Sequence, residues 1–199
     1  MIQLRKRPKI YLKEGAQTKI TPRIKKLAEK IDGEGLEFAF NLLIFLQKHL
    51  RNLYCSPKKY QEYLKNYHLR KTADEILTER LAPTCGEKAL IFAAICRAKG
   101  IPAKIIEGAL YEFLKDQSDE HVRTHAFVEI FVGRRWYLVD PSRGLIGVNK
   151  TLQTFFPPYA GWEPLWEGLD FWDMGFFDHE TFMKQAVEFK RKWKKTKKR

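Results

Sequence analysis

At Gly100 the hydrophobic pattern of this sequence changes period, and the change constrains the fold more than any other feature of the chain. Upstream, apolar residues recur every three or four positions between helix-capping signals. Downstream they alternate, or run in short blocks broken by glycine. Helices first and strands second describe an α+β domain with an antiparallel sheet packed on helices, since parallel strands need helical crossovers between them.

The helical half is clearly punctuated. Thr21-Pro22 places an N-cap and a first-turn proline ahead of a helix that ends near Ile31, before Gly33. A longer helix follows over Leu36–Leu53, where Phe38, Ala39, Leu42, Leu43, Phe45, Leu46 and Leu50 fill so much of the circumference that it belongs in the core. Ser56-Pro57 opens a third helix, and Thr72 with Glu75 forms a capping box for a short fourth that stops before Pro83. The pattern resumes after Cys85 through Ala89, Leu90, Phe92, Ala93 and Cys96, with Gly100 at the usual stop position.

Three strands are expected from AKIIEGALYEF, HAFVEIFV and RRWYLVD, the last two joined by a hairpin around Gly133 to Arg135. Residues 144–175 carry Phe155, Phe156, Tyr159, Trp162, Trp166, Phe171 and Trp172 without a period. They read as irregular structure packed on the domain, more as core than as a substrate wall. Asp178 caps a last helix, from about Glu180 towards Trp193. The layout is a basic arm (1–20) with a short strand near Ile10 to Leu12, one domain (21–189) and a basic tail (190–199).

The net charge of +13 suggests nucleic-acid binding until it is divided. Residues 1–30 contribute +8 and residues 190–199 another +8, leaving −3 for everything between. That is no basic binding domain; only the ends, with Trp193 in the tail, suit a weak contact with nucleic acid or an anionic surface. The longest apolar run, Leu36–Leu46, is 11 residues and includes Glu37 and Asn41, well short of the roughly 18–20 that span a bilayer. The opening MIQLRKRPKI leads into no apolar leader, so the cytoplasm is the expected compartment. Three cysteines are too few for a disulfide framework and are expected as thiols.

Three of the side chains form a chemical constellation: Cys85 opens a helix, His125 opens a strand, and Asp140 closes the next strand. A helix N-terminus favours a thiolate, because its unpaired amides and macrodipole stabilise negative charge. An imidazole can take the thiol proton and return it to a leaving amine, and a carboxylate on the far ring nitrogen fixes the tautomer. Adjacent antiparallel strands would bring His125 and Asp140 about 5 Å apart. Cys96, on the apolar face of its helix, reads as packing, and Cys55 has no partner at a telling spacing. His121, in the polar loop, is the rival for the histidine role.

These strings resemble a known family. TCGEKALIFAAICRAKGIPAKIIEG, from Thr84 to Gly108, resembles the cysteine segment of the transglutaminase-like superfamily, and THAFVEIFVGRRWYLVDPS resembles its His-Ala and Val-Asp-Pro segments. The resemblance covers about Leu36 to Ser142 and implies a papain-like α+β fold, a Cys85–His125–Asp140 triad, and acyl transfer at amides. Phe127 stands where that family often has Trp, and no Trp upstream of Trp136 is available for the oxyanion. The Cys85 amide supplies one oxyanion donor, and Gln61, Asn66 or Tyr67 is expected to supply the other.

The function expected is therefore a cysteine protease or amidase working through a thioester on a peptide or protein substrate. The alternatives are a glutamine-crosslinking transglutaminase and a noncatalytic module whose basic arms hold nucleic acid. No cofactor is expected: Asp116, Asp119 and Glu120 lack the spacing of a calcium loop, and there is no CxxC pair for zinc.

Overall fold

Helix and strand halves meet in a Schellman turn. Gly100, at φ 79°, donates to the Arg97 carbonyl, and Ile101 donates to that of Cys96 at 2.9 Å, so the last carbonyls of the helix are satisfied where the strands begin. The structure, a computed structural model, describes residues 8–53, 55–115, 123–148 and 162–197.

A 3-10 turn (Pro8–Leu12) precedes α1 (Pro22–Lys30), α2 (Gly35–His49), α3 (Pro57–Asn66), α4 (Ala73–Glu79) and α5 (Cys85–Ala98). β1 (Ala103–Leu110), α6 (Tyr111–Lys115), β2 (Thr124–Val132), β3 (Arg135–Asp140), β4 (Leu145–Val148), β5 (Trp162–Gly168) and α7 (His179–Lys197) follow. The strands form one antiparallel sheet in the order β4-β3-β2-β1-β5. Helices stand before the sheet and pack on it, as the α+β reading requires. Among the described residues no helix is long and apolar enough to cross a membrane.

α5 is the central post. Gly86 to Arg97 are all buried, and the helix touches β1, β2, α1, α2 and α4. A helix enclosed on every side shows little amphipathic pattern, and the apolar all-round sequence LIFAAIC is the consequence. Arg97 spends its guanidinium on this core: Nε and Nη2 donate to the Ala103 carbonyl, Nη2 also to that of Leu169, and Nη1 to Thr18 Oγ1 at 2.6 Å. Among the described residues five strands replace the three expected, because β4 and β5 lie in the 144–175 stretch, where only β5 alternates and weakly. The β1 string stops at Leu110 and turns into α6 rather than continuing to Phe113.

Both ends also differ from the arm-and-tail reading. Gln17 is fully buried, takes the Asp170 carboxylate on its backbone N–H at 2.7 Å and accepts from Phe171 N at 3.0 Å, so residues 8–20 clamp the loop after β5. The expected strand near Ile10 is a 3-10 turn with Tyr11 buried against Trp136. α2 stops at His49, earlier than Leu53, and α7 carries the basic residues as far as Lys197 as helix. Asp178 caps α7 as expected, accepting from Thr181 N at 2.8 Å.

Candidate active site

Cys85 is the first residue of α5, and a buried capping box sets it there. The Thr84 hydroxyl accepts from Gly86 N at 3.2 Å, while the Glu87 carboxylate accepts from Thr84 N at 2.9 Å and from the Thr84 hydroxyl. Burial pushes the Glu87 carboxyl up, against the pull of those Thr84 bonds. The T-x-x-E pattern at Thr84 is the one recognised at Thr72, and it was legible in the sequence though unread.

β2 brings the other groups to the sulfur. Ala126 N donates to Cys85 Sγ at 3.4 Å, and the preceding His125 places Nε2 2.8 Å from Asp140 Oδ2, which leaves Nδ1 as the ring nitrogen for the cysteine. The β2–β3 register pairs Val128 with Val139, so Asp140 falls diagonally across from His125, still within reach of the ring. Asp140 is fully buried, and its other oxygen accepts from Ser142 N, Ser142 Oγ and Arg143 N at 2.9, 2.7 and 3.1 Å. The Asp-Pro-Ser-Arg turn thereby fixes which oxygen faces the imidazole.

Burial lowers the His125 pKa, but the Cys85 sulfur and the Asp140 carboxylate outweigh it and raise the ring to about 10. His125 therefore holds its proton across the neutral range. Its ring also packs edge-on to Phe127 at 4.7 Å and against Trp162 at 5.8 Å.

Sequence reasoning passed over three further groups at the site. Lys88, one turn beyond Cys85, is 5% exposed, with Nζ 3.4 Å from the Ser142 carbonyl; burial pulls its pKa down while Asp140 and Cys85 hold it up. Glu107 is the charged residue on the inward face of an otherwise apolar β1, in phase with Ala103 and Ile105, and that phase is a signal the sequence offers. His68 is buried beside His179, their Nδ1 atoms 3.2 Å apart; burial first, then His179, lowers its pKa to about 3, so it stays neutral.

Cys85 opens onto a small pocket walled by Leu69, Phe171 and Phe182 and edged by His68, Glu107 and Thr124. Gln61, Asn66 and Tyr67 are not among the residues lining it. Gln61 and Asn66 are exposed on α3, whose buried side is Tyr63, and Tyr67 is 46% exposed beneath the Lys71 ammonium. None of the three is thereby placed beside the Cys85 sulfur.

The 144–175 aromatics divide between two roles. Phe171 and Trp162 border the site, while Trp166 packs on Phe176, Phe182 and Phe189. Cys96 is fully buried, which pushes its thiol up, and Cys55 is exposed. Among the described residues no His, Cys, Asp and Glu side chains cluster as metal ligands. His121, Asp116, Asp119, Glu120, Phe155, Phe156 and Tyr159 lie outside the described residues.

Comparison with known proteins bears on the fold and the family. The sequence profile of the transglutaminase-like superfamily matches residues 25–141. A candidate cysteine protease from Cytophaga hutchinsonii shares the fold, with a TM-score of 0.60 at 19% identity over 86% of this chain and 50% of that one. The chain thus spans about half the length of that protein. The periplasmic domain of TgpA from Pseudomonas aeruginosa, bound to ethylmercury, aligns at 21% identity over 65% of this chain and 52% of that one, with a TM-score of 0.29 that bears no weight. No curated protein matches. With more than half of its length matched by the family profile, and with the fold to go with it, the chain belongs to the transglutaminase-like superfamily.

Proposed function

We propose that this protein is a cysteine-nucleophile hydrolase of amide bonds in peptides or proteins, with Cys85 as nucleophile, His125 as general acid and base, and Asp140 as the residue that orients His125. The observation that carries the reading is the convergence of three chain-distant groups, with Cys85 Sγ held on Ala126 N and His125 Nε2 held on Asp140.

The steps follow from that placement. Cys85 Sγ attacks the carbonyl carbon, and the carbonyl electrons move to an oxygen that the Cys85 N–H can bind. His125, already carrying a proton, gives it to the leaving nitrogen as the C–N bond breaks, and a thioester remains on Cys85. Water then attacks the thioester while His125 takes its proton; the acid departs and the sulfur regains its starting state. Asp140, unable to leave its turn, keeps Nε2–H pointed at itself and Nδ1 at the reacting atoms throughout.

The test is acylation by p-nitrophenyl acetate with acid quench and peptide mapping. The expected result is an acetyl thioester on Cys85 that decays in water and is missing in Cys85→Ala. Acetylation confined to other residues, or a full burst in Cys85→Ala, would overturn the assignment.

A further inference from the structure

The mechanism above makes no use of Glu107, although it lies on the pocket at Cys85. It is 3% exposed, and its interactions are a hydrogen bond with the Thr124 hydroxyl and the charge of His125. Among the described residues no Lys or Arg pairs with it. The other inward side chains of β1, Ala103, Ile105 and Ala109, are apolar and fully buried. A carboxyl at such a position costs stability unless something repays its desolvation. Fold maintenance gives no reason for it, since an apolar residue would continue the core.

The surroundings say what could repay it. Leu69, Phe171 and Phe182 offer apolar walls for a short aliphatic stem, and His68, held neutral, adds no positive charge to that of His125. Apolar walls with one acidic group at depth suit a ligand that is apolar along its length and cationic at its tip. Resting on the reading of Cys85 as nucleophile, we propose that Glu107 receives a primary ammonium group of the substrate in this pocket and is the residue that sets substrate class. Burial raises the Glu107 pKa to about 7 in the empty pocket, against the pull of Thr124 and His125. A bound ammonium would draw it back down, so that ligand and carboxylate ionise together.

The ammonium could belong to a lysine side chain on the acyl donor, or to an attacking amine that first gives one proton to the Glu107 carboxylate and then a second to neutral His125 as the C–S bond breaks. The test therefore has two arms. In the first, the purified protein is treated at about pH 8.5 with 2-aminoethyl and ethyl methanethiosulfonate, and the rate ratio of the two at Cys85 is divided by the same ratio at exposed Cys55.

The proposal expects a preference of about tenfold or more for the aminoethyl reagent, as for a charge-assisted hydrogen bond, and its collapse in Glu107→Gln. A normalised ratio near one in the unmodified protein, or one unchanged by Glu107→Gln, overturns the proposal; Glu107→Asp gives a second variant should the first not fold. The ethyl reagent reacting at Cys85 no faster than at Cys55 counts against the nucleophile reading, whatever the ratio does, so the two failures are separable.

In the second arm, methylamine is added to the acetylated enzyme. N-methylacetamide formed by the unmodified protein and lost in Glu107→Gln assigns the pocket to the attacking amine. Hydrolysis alone, together with the aminoethyl preference, assigns it to the acyl donor.

Discussion

Asp140→Asn separates the two jobs of one carboxylate. Oδ1 accepts three donors from the turn, and Oδ2 accepts from His125. An asparagine keeps the turn only by placing its carbonyl oxygen where Oδ1 was, which aims its NH2 at His125 Nε2. Two donors then face each other, and the imidazole can relieve the clash only by losing the Nε2 proton. That proton is the one which keeps Nδ1 available to Cys85. Rotating the amide instead would turn a donor onto three turn donors and cost more.

The loss at His125 is one charge-assisted hydrogen bond of 2.8 Å to a fully buried group, worth about 1.5–3 kcal/mol, so alkylation of Cys85 should slow by about 10- to 100-fold near neutrality. Folding stability should fall by about 2–4 kcal/mol, since the same bond is present in the resting fold and the turn also exchanges a charged acceptor for a neutral one. Iodoacetamide kinetics at Cys85 and urea unfolding of the same preparation measure both. A variant alkylated within about threefold of wild type, at unchanged stability, would refute the reasoning that the turn dictates the tautomer.

Other predictions rest on single features. Thr84→Ala removes the cap and one of the donors to the buried Glu87 carboxyl, so the urea midpoint should drop by the equivalent of about 1–3 kcal/mol; an unchanged midpoint contradicts the role of the box. His125, raised to about 10 from 6.5, contributes stability that is present below pH 6.5 and lost as pH rises through about 10; over that window wild type should lose stability relative to His125→Gln, and parallel curves would exclude it. Glu107, raised to about 7 from 4.5, acts in the same sense at lower pH: the folded state takes up a proton, and stability falls as pH rises between those values. Glu107→Gln should therefore gain about 3 kcal/mol on wild type between pH 4 and 8, which differential unfolding reads directly. Lys88→Met removes a buried cation beside Cys85, and alkylation of Cys85 at a fixed neutral pH should slow severalfold; an unchanged rate contradicts a part for the ammonium.

What the sequence disclosed follows the physics of each signal. The caps at Thr21, Thr72 and Asp178 and the stop at Gly100 are local, formed within a few residues, and could be read directly. The α5 segment was visible because a fully buried helix must be apolar around its circumference. β4 and β5 were not, since four residues give no period and β5 carries Pro164 and a register shift opposite Glu107 and Gly108.

Gln17 shows a different limit. Its hydrogen bonds reach Leu69, Lys71 and Phe171, partners some 50 to 150 positions away, and nothing in the residues around it announces burial. At the site, Cys85, His125 and Asp140 stand out because the strings around them, in order, resemble family motifs; each residue alone is a weak signal. Lys88, Glu107 and His68 are ordinary residues that matter only through what surrounds them, and that is set by tertiary packing.

The most direct test of the central claim is alkylation by limiting iodoacetamide from about pH 5 to 9, with each cysteine quantified by peptide mapping. Exposed Cys55 serves as the ordinary thiol and buried Cys96 as the inert one. The account predicts that Cys85 alone is modified rapidly at about pH 6, because His125 holds the proton and Ala126 N with the first turn of α5 stabilises the sulfur's charge. A Cys85 that follows the pH profile of Cys55, or stays unmodified throughout, would contradict it.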